Sequence, residues 1–202
     1  MIKKDVVDFI TKVEEISKIG LKYTTDLYAK DNYLELQQLA NDFLKDTEHI
    51  ELNRPNFFER DIYPTPNVSV RIVILNETRD KVLLVQERSD GGYCLPGGWS
   101  ELLLSPSESA MKEVREEVGA ECKIVKLIGV LDKYQNKHTT GIPEYILGFE
   151  AQIVGEIGES CHEIISKDFF DINNLPKLSI KMEKPELLRL INACLNNDTI
   201  FD

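Results

Sequence analysis

The sequence predicts an α/β protein in which a mixed sheet lies between helices and a small helical module precedes it. Three observations carry that reading. Apolar residues recur at helical spacing through the first part of the chain, β-branched runs begin at Asn67, and a well-capped helix over 105–119 separates two of those runs.

At the amino terminus Val6, Phe9, Ile10, Val13 and Ile16 share a helical stripe, and Gly20 is the expected stop. A second stripe follows over Tyr33, Leu36, Gln37, Ala40, Phe43 and Leu44. Two short amphipathic helices are marginal alone, so their apolar faces must cover something, either the rest of the chain or a second copy. Pro55, Pro64 and Pro66 mark a linker, which divides a module over 1–60 from a larger domain over 61–202.

From Asn67 the periodicity changes. VSVRIVIL and KVLLVQE flank the polar NETRD and predict a hairpin. Arg71 lies mid-strand among apolar neighbours, where a lone charge is costly, so it has a buried acidic partner or reaches into a cleft. CKIVKLIGVLDKY and EYILGFEAQIV read as strands joined by QNKHTTGIP, and His138 in that loop is either solvated or a substrate contact. HEIISKDFF is a further short strand. Pro185 then opens a terminal helix with Leu187, Leu188, Ile191, Cys194 and Leu195 as its buried stripe.

The most informative segment is GGWSELLLSPSESAMKEVREEVGA, residues 97 to 120. Ser105 and Glu108 form a capping box with Pro106 at the first helical position, and Gly119 supplies a left-handed stop. Ala110, Met111, Val114 and Val118 make one stripe, while Glu113, Glu116 and Glu117 share another face, since positions i, i+3 and i+4 lie together. Three carboxylates on one face repel unless a cation sits among them, and hard divalent ions take such oxygen ligands. A solvated acidic face is the plainer alternative. The glycine pair, the cap and the stop at matching distances favour a metal platform for phosphate chemistry.

This segment resembles the box of the Nudix hydrolases, G-x5-E-x7-R-E-U-x-E-E-x-G-U with U aliphatic. Gly98, Glu113, Val114, Glu116, Glu117 and Gly119 fall in register. Leu104 stands at the family's first glutamate and Lys112 at its arginine, two positions expected to pair. Losing the carboxylate alone would strand the arginine, so leucine with lysine reads as a joint replacement, the lysine carrying its charge to solvent. NVSVRIVILNETRDKVLLVQERSDGGYCLPGGW, the upstream GLKYTTDLYAKDNYLELQQLA and the downstream HEIISKDFFDINNLPKLS resemble a bacterial subgroup with a helical amino-terminal extension.

The resemblance implies an α/β/α sandwich and a Mg²⁺ or Mn²⁺ ion held by Glu113, Glu116, Glu117 and the Gly97 carbonyl. It also implies a general base at Glu117 or at Glu163 on a late loop, and substrate contacts at Arg71 and His138. The implied reaction splits a nucleoside diphosphate linked to another moiety, of the ADP-ribose or CDP-choline type. A catalytically weak nucleotide sensor is the alternative that Leu104 and Lys112 raise. The helical module is the expected dimer-forming arm of a homodimer.

Composition narrows the partners. With 24 basic against 35 acidic residues the net charge is −11, which disfavours a nucleic-acid or anionic-membrane surface and suits a small phosphorylated substrate neutralised locally. No stretch approaches the ~20 apolar residues of a membrane span. Cys94, Cys122, Cys161 and Cys194 are scattered without metal or disulfide spacing, as reduced thiols of a cytoplasmic protein would be.

Overall fold

The computed structural model describes residues 4–48, 65–101, 104–133 and 143–202. His138, Pro55 and Pro64 lie outside them. The described residues fall into two compact units, the first holding the two amino-terminal helices and the second beginning at Asn67.

In the first unit α1 (Lys4–Tyr23) packs against α2 (Leu27–Glu48). The Asp26 carboxylate accepts the Ala29 N–H at 2.7 Å and caps α2. Gly20 does not end α1. A Cβ there would lie 2.4 Å from the Tyr33 ring, so its missing side chain admits the second helix rather than stopping the first. Part of the apolar stripe of α1 is left uncovered within the single chain. Phe9 and Ile16 are exposed, whereas Glu14 and Ser17 are buried. Glu14 is held by Lys18 at 2.6 Å, and Ser17 by the Val13 carbonyl at 2.8 Å.

The second unit carries two sheets. The four-stranded sheet runs in the order β1 (Asn67–Val73), β5 (Glu144–Val154), β4 (Glu121–Asp132), β7 (Ile200–Phe201). The three-stranded sheet runs β3 (Tyr93–Cys94), β2 (Lys81–Glu87), β6 (Ile164–Asp171). Pairing is mixed: β1 lies parallel to β5, and β4 antiparallel to β5. With α3 (Pro106–Glu113), its continuation Val114–Val118 and α4 (Lys184–Asn196), this is the α/β fold with a mixed sheet that the sequence predicts.

The expected hairpin is not a strand pair of one sheet. β1 and β2 belong to different sheets, but the residues between them keep the turn of a hairpin, through the antiparallel Leu75–Val82 bridge, the Leu83 N–H to Ile74 carbonyl bond and the Asn76 N–H to Lys81 carbonyl bond. The reason is burial. β1 is buried from Ser69 onward, the pattern of a strand covered on both faces, and its ladder goes to β5. Its other edge is taken by the glycine loop, through Val70 N–H to the Gly98 carbonyl and Ile72 N–H to the Pro96 carbonyl, both 2.9 Å.

Leu187, Leu190, Ile191 and Cys194 of α4 join Ile72, Ile128 and Ile146 in the core, while Leu195 of the predicted stripe is exposed. No helix among the described residues is long and apolar enough to cross a membrane.

Candidate functional site

The site is assembled from the glycine loop over β1, the helix that follows it, and the segment between β5 and β6. The helix begins as expected. Ser105 Oγ accepts the Glu108 N–H, and the Glu108 carboxylate accepts the Ser105 N–H at 2.8 Å, a complete capping box. It ends differently from a regular α-helix. Val114–Val118 form a π-helical turn closed by Gly119 at φ 69°. Such wide turns are rare and recur at functional sites.

The wide turn separates the three glutamates. Glu117 is buried, its carboxylate accepting the Gly97 N–H at 2.8 Å. Glu113 is half-buried behind Gly98, where a Cβ would meet its Oε1 at 2.6 Å. Glu116 is turned to Lys112 at 2.8 Å. Among the described residues no three acidic, histidine or cysteine side chains stand together as a ready ion cage. The single acidic face of a helical wheel is thus divided, with Glu113 and Glu117 beside the glycines and Glu116 outside them.

Burial, followed by the repulsion of Glu113 and Glu87, pushes the Glu117 carboxyl up to about 8 despite the Gly97 N–H and Arg71. Burial raises Glu113 as well, against the pull of Lys112. The site is therefore short of positive charge. Arg71, 4% exposed, supplies part of it: its Nη1 donates to the Gly97 carbonyl. Burial opposes its charge, and Cys94, Glu117, Glu186 and Glu144 favour it, so that its pKa is raised. Burial raises the Cys94 thiol well above its ordinary value. Arg71 is thus buried and held to the backbone of the glycine pair.

Lys112 is not released to solvent. It bridges Glu101 and Glu116, each at 2.8 Å, and Leu104 takes no part. Glu101, three residues before the family's glutamate position, is the partner that the motif register hides.

Glu163 lies just before β6 with its side chain exposed, 4.0 Å from His162. Its segment is tied to the helix: the Cys161 N–H donates to the Glu116 carbonyl at 2.6 Å, and the Gly158 N–H to the Gly119 carbonyl at 2.8 Å. The structure thus brings Gly97, Glu113, Glu117 and Arg71 together, joins the Glu163 segment to them through the backbone, and leaves Glu116 on Lys112.

The NUDIX domain model matches residues 65–191. The chain is 32% identical over 197 residues to the protein named "Putative ADP-ribose pyrophosphatase YjhB" of Bacillus subtilis (strain 168), covering 95% of this chain and 94% of that one. It is 31% identical to the ADP-ribose pyrophosphatase of Methanocaldococcus jannaschii, over 61% of this chain and 72% of the relative. Among solved structures, a UDP-X diphosphatase superposes with TM-score 0.65 over the whole of both chains at 24% identity, a likeness of fold. An ADP-ribose pyrophosphatase from Streptococcus suis 89-1591 matches at 29% identity and TM-score 0.58, over 68% of this chain and all of that one.

Proposed function

The chain belongs to the Nudix family, and on that premise we propose that it is a Mg²⁺- or Mn²⁺-dependent hydrolase of a nucleoside diphosphate linked to another moiety. It would yield a nucleoside monophosphate and the phosphorylated second moiety. The names of its relatives make ADP-ribose the first substrate to test, with UDP- and CDP-linked compounds next. The observation that carries the reading is the pair of desolvated carboxylates, Glu113 and Glu117, on either side of a glycine pair that a β-carbon would disrupt.

The donor set fits a hard divalent ion. It is all oxygen, and the charge it lacks is positive. Glu113, Glu116 and Glu117 with the Gly97 carbonyl would hold the ion, Glu116 leaving Lys112 to do so. Once bound, the ion neutralises phosphate charge and lowers the pKa of a water. The chain's own residues do the rest. Glu117 on the N–H of Gly97 and Arg71 on its carbonyl fix that backbone from both sides. Glu163, exposed on a segment anchored to the Glu116 carbonyl, takes the proton as a water oxygen attacks phosphorus and the P–O bond of the anhydride breaks. The buried Glu117 is less suited to that proton transfer than to holding the ion.

We further assign a cytoplasmic location, which the free, unpaired Cys94, Cys122, Cys161 and Cys194 support, and a homodimer formed through the helical module, supported by exposed Phe9, Leu27, Tyr28 and Leu39. The decisive assay is phosphate release, coupled to phosphatase, from ADP-ribose, UDP- and CDP-linked compounds and nucleoside triphosphates with and without Mg²⁺. Tight binding without turnover across that panel would overturn the enzymatic reading in favour of a sensor.

A further inference from the structure

Arg88 follows β2 directly, and its side chain is exposed, yet it does not point into solvent as a free surface charge. Its backbone N–H donates to the Glu163 carbonyl at 2.9 Å, its Nε to the His162 carbonyl at 2.7 Å, and its Nη2 to the Ile164 carbonyl at 3.4 Å. One residue thus addresses three successive carbonyls centred on Glu163. From this geometry we propose that Arg88 is the positioning residue for Glu163: its planar guanidinium fixes the peptide segment from which the proposed base projects.

The local ladder explains why such a clamp is needed. Pairing of β2 with β6 steps from Gln86–Ser166 to Glu87–Ile164, so Ile165 is an extra residue in β6. A bulge of this kind leaves backbone groups unpaired and re-aims the side chains beside it. The fork of an arginine presents several donors in one plane, which matches carbonyls spread over a bulge as a lysine ammonium cannot. On the far side, Cys161 N–H is bonded to the Glu116 carbonyl of the π-turn. The segment 161–164 is therefore held from two directions, by the metal helix and by Arg88. Removing Arg88 leaves Glu163 chemically intact but free to leave its place, and misplacement by about 1 Å is enough to lower turnover by up to about a hundredfold.

This inference rests on the proposed role of Glu163, and the test separates the two. The hydrolysis of ADP-ribose, or of whichever compound of the panel is turned over, is measured with Mg²⁺ for wild type, R88A, R88K, E163Q and the R88A/E163Q double variant. Hydrogen exchange of the peptide containing 159–165 is followed in parallel. The expectation is a fall in kcat of about a hundredfold for E163Q. R88A should lose about tenfold or more in kcat with KM within about twofold, and R88K should recover part of it. R88A should cost nothing further in the E163Q background, and exchange over 159–165 should quicken. If R88A does not fold, R88K with E163Q completes the same cycle. A full additional loss from R88A on top of E163Q overturns the clamp while leaving Glu163 in place. So does a rise in KM alone, or unchanged exchange. Full kcat in E163Q removes the base and the clamp together.

Discussion

The Lys112 ammonium lies 2.8 Å from the Glu101 carboxylate, and the same lysine reaches Glu116 at 2.8 Å. Both carboxylates hold the ammonium in its charged form. The arrangement keeps a cation over Glu116. The structure also names the partner of Lys112, which is Glu101 rather than the position of Leu104.

Removing Glu101 should therefore be felt through Lys112. These side chains are partly exposed, so a double-mutant cycle of E101A with K112A should give a coupling of only about 0.5 kcal/mol in unfolding free energy. The corresponding cycle of L104A with K112A should be additive. Coupling confined to the leucine pair would reverse the assignment.

Lys112 also competes with the proposed metal for Glu116. K112M should bind Mg²⁺ more tightly, by about two- to tenfold in an isothermal titration, because one like charge is removed from the site. Weaker Mg²⁺ binding in K112M would show that the lysine supports the platform rather than blocking it.

The glycine pair predicts two different failures. At Gly97, φ is 144° and a Cβ would sit 2.1 Å from the Val70 carbonyl oxygen, so neither backbone nor neighbour can yield. G97A should lose roughly 2 kcal/mol or more of stability, visible as a lowered Tm. At Gly98 the obstacle is the end of a flexible side chain, Glu113 Oε1. G98A should melt near wild type yet need more Mg²⁺ for half-maximal activity. Equal melting losses in the two variants would refute the distinction.

Glu117 predicts a pH dependence of stability in the absence of divalent ions. Its folded pKa, about 8, lies above the 4.5 of the free side chain. The folded state therefore binds the extra proton between those values, and the stability from this group is complete below about pH 4.5 and lost as pH rises through 8. Comparison with E117Q isolates the effect. The wild type should lose on the order of a few kcal/mol relative to E117Q between pH 5 and 8, and Mg²⁺ should restore much of it at pH 8. Parallel urea curves for the two proteins across that range would contradict this.

Local patterns were legible where local chemistry decides the structure. The capping box at Ser105–Glu108, the stop at Gly119 and the strands of the β4–β5 pair all follow from neighbours in sequence. What depended on distant contacts was not. The VSVRIVIL run is a strand that turns back onto KVLLVQE only at its end, because its main partner, β5, lies far along the chain. The amphipathic stripe of α1 marks Phe9 and Ile16 as apolar, and they are exposed in the single chain, whereas the face toward α2 holds Glu14, Ser17 and Gly20, which no apolar periodicity announces. The division of Glu113, Glu116 and Glu117 escaped a helical wheel because the wheel assumes one period throughout. Arg88 and Glu101 act through carbonyls and an offset pairing, which no spacing of residue types announces.

The π-turn has one more effect. Within it the Glu116 carbonyl receives the Cys161 N–H, and the late loop hangs from that oxygen. Deleting one residue from Val114–Val118 would rewind the turn to ordinary pitch, swing two acidic side chains around the axis by about 100° and withdraw the loop's mooring in the same stroke. Anchor and cargo thus share a hinge, and a change of pitch in the helix also relocates the segment that carries Glu163.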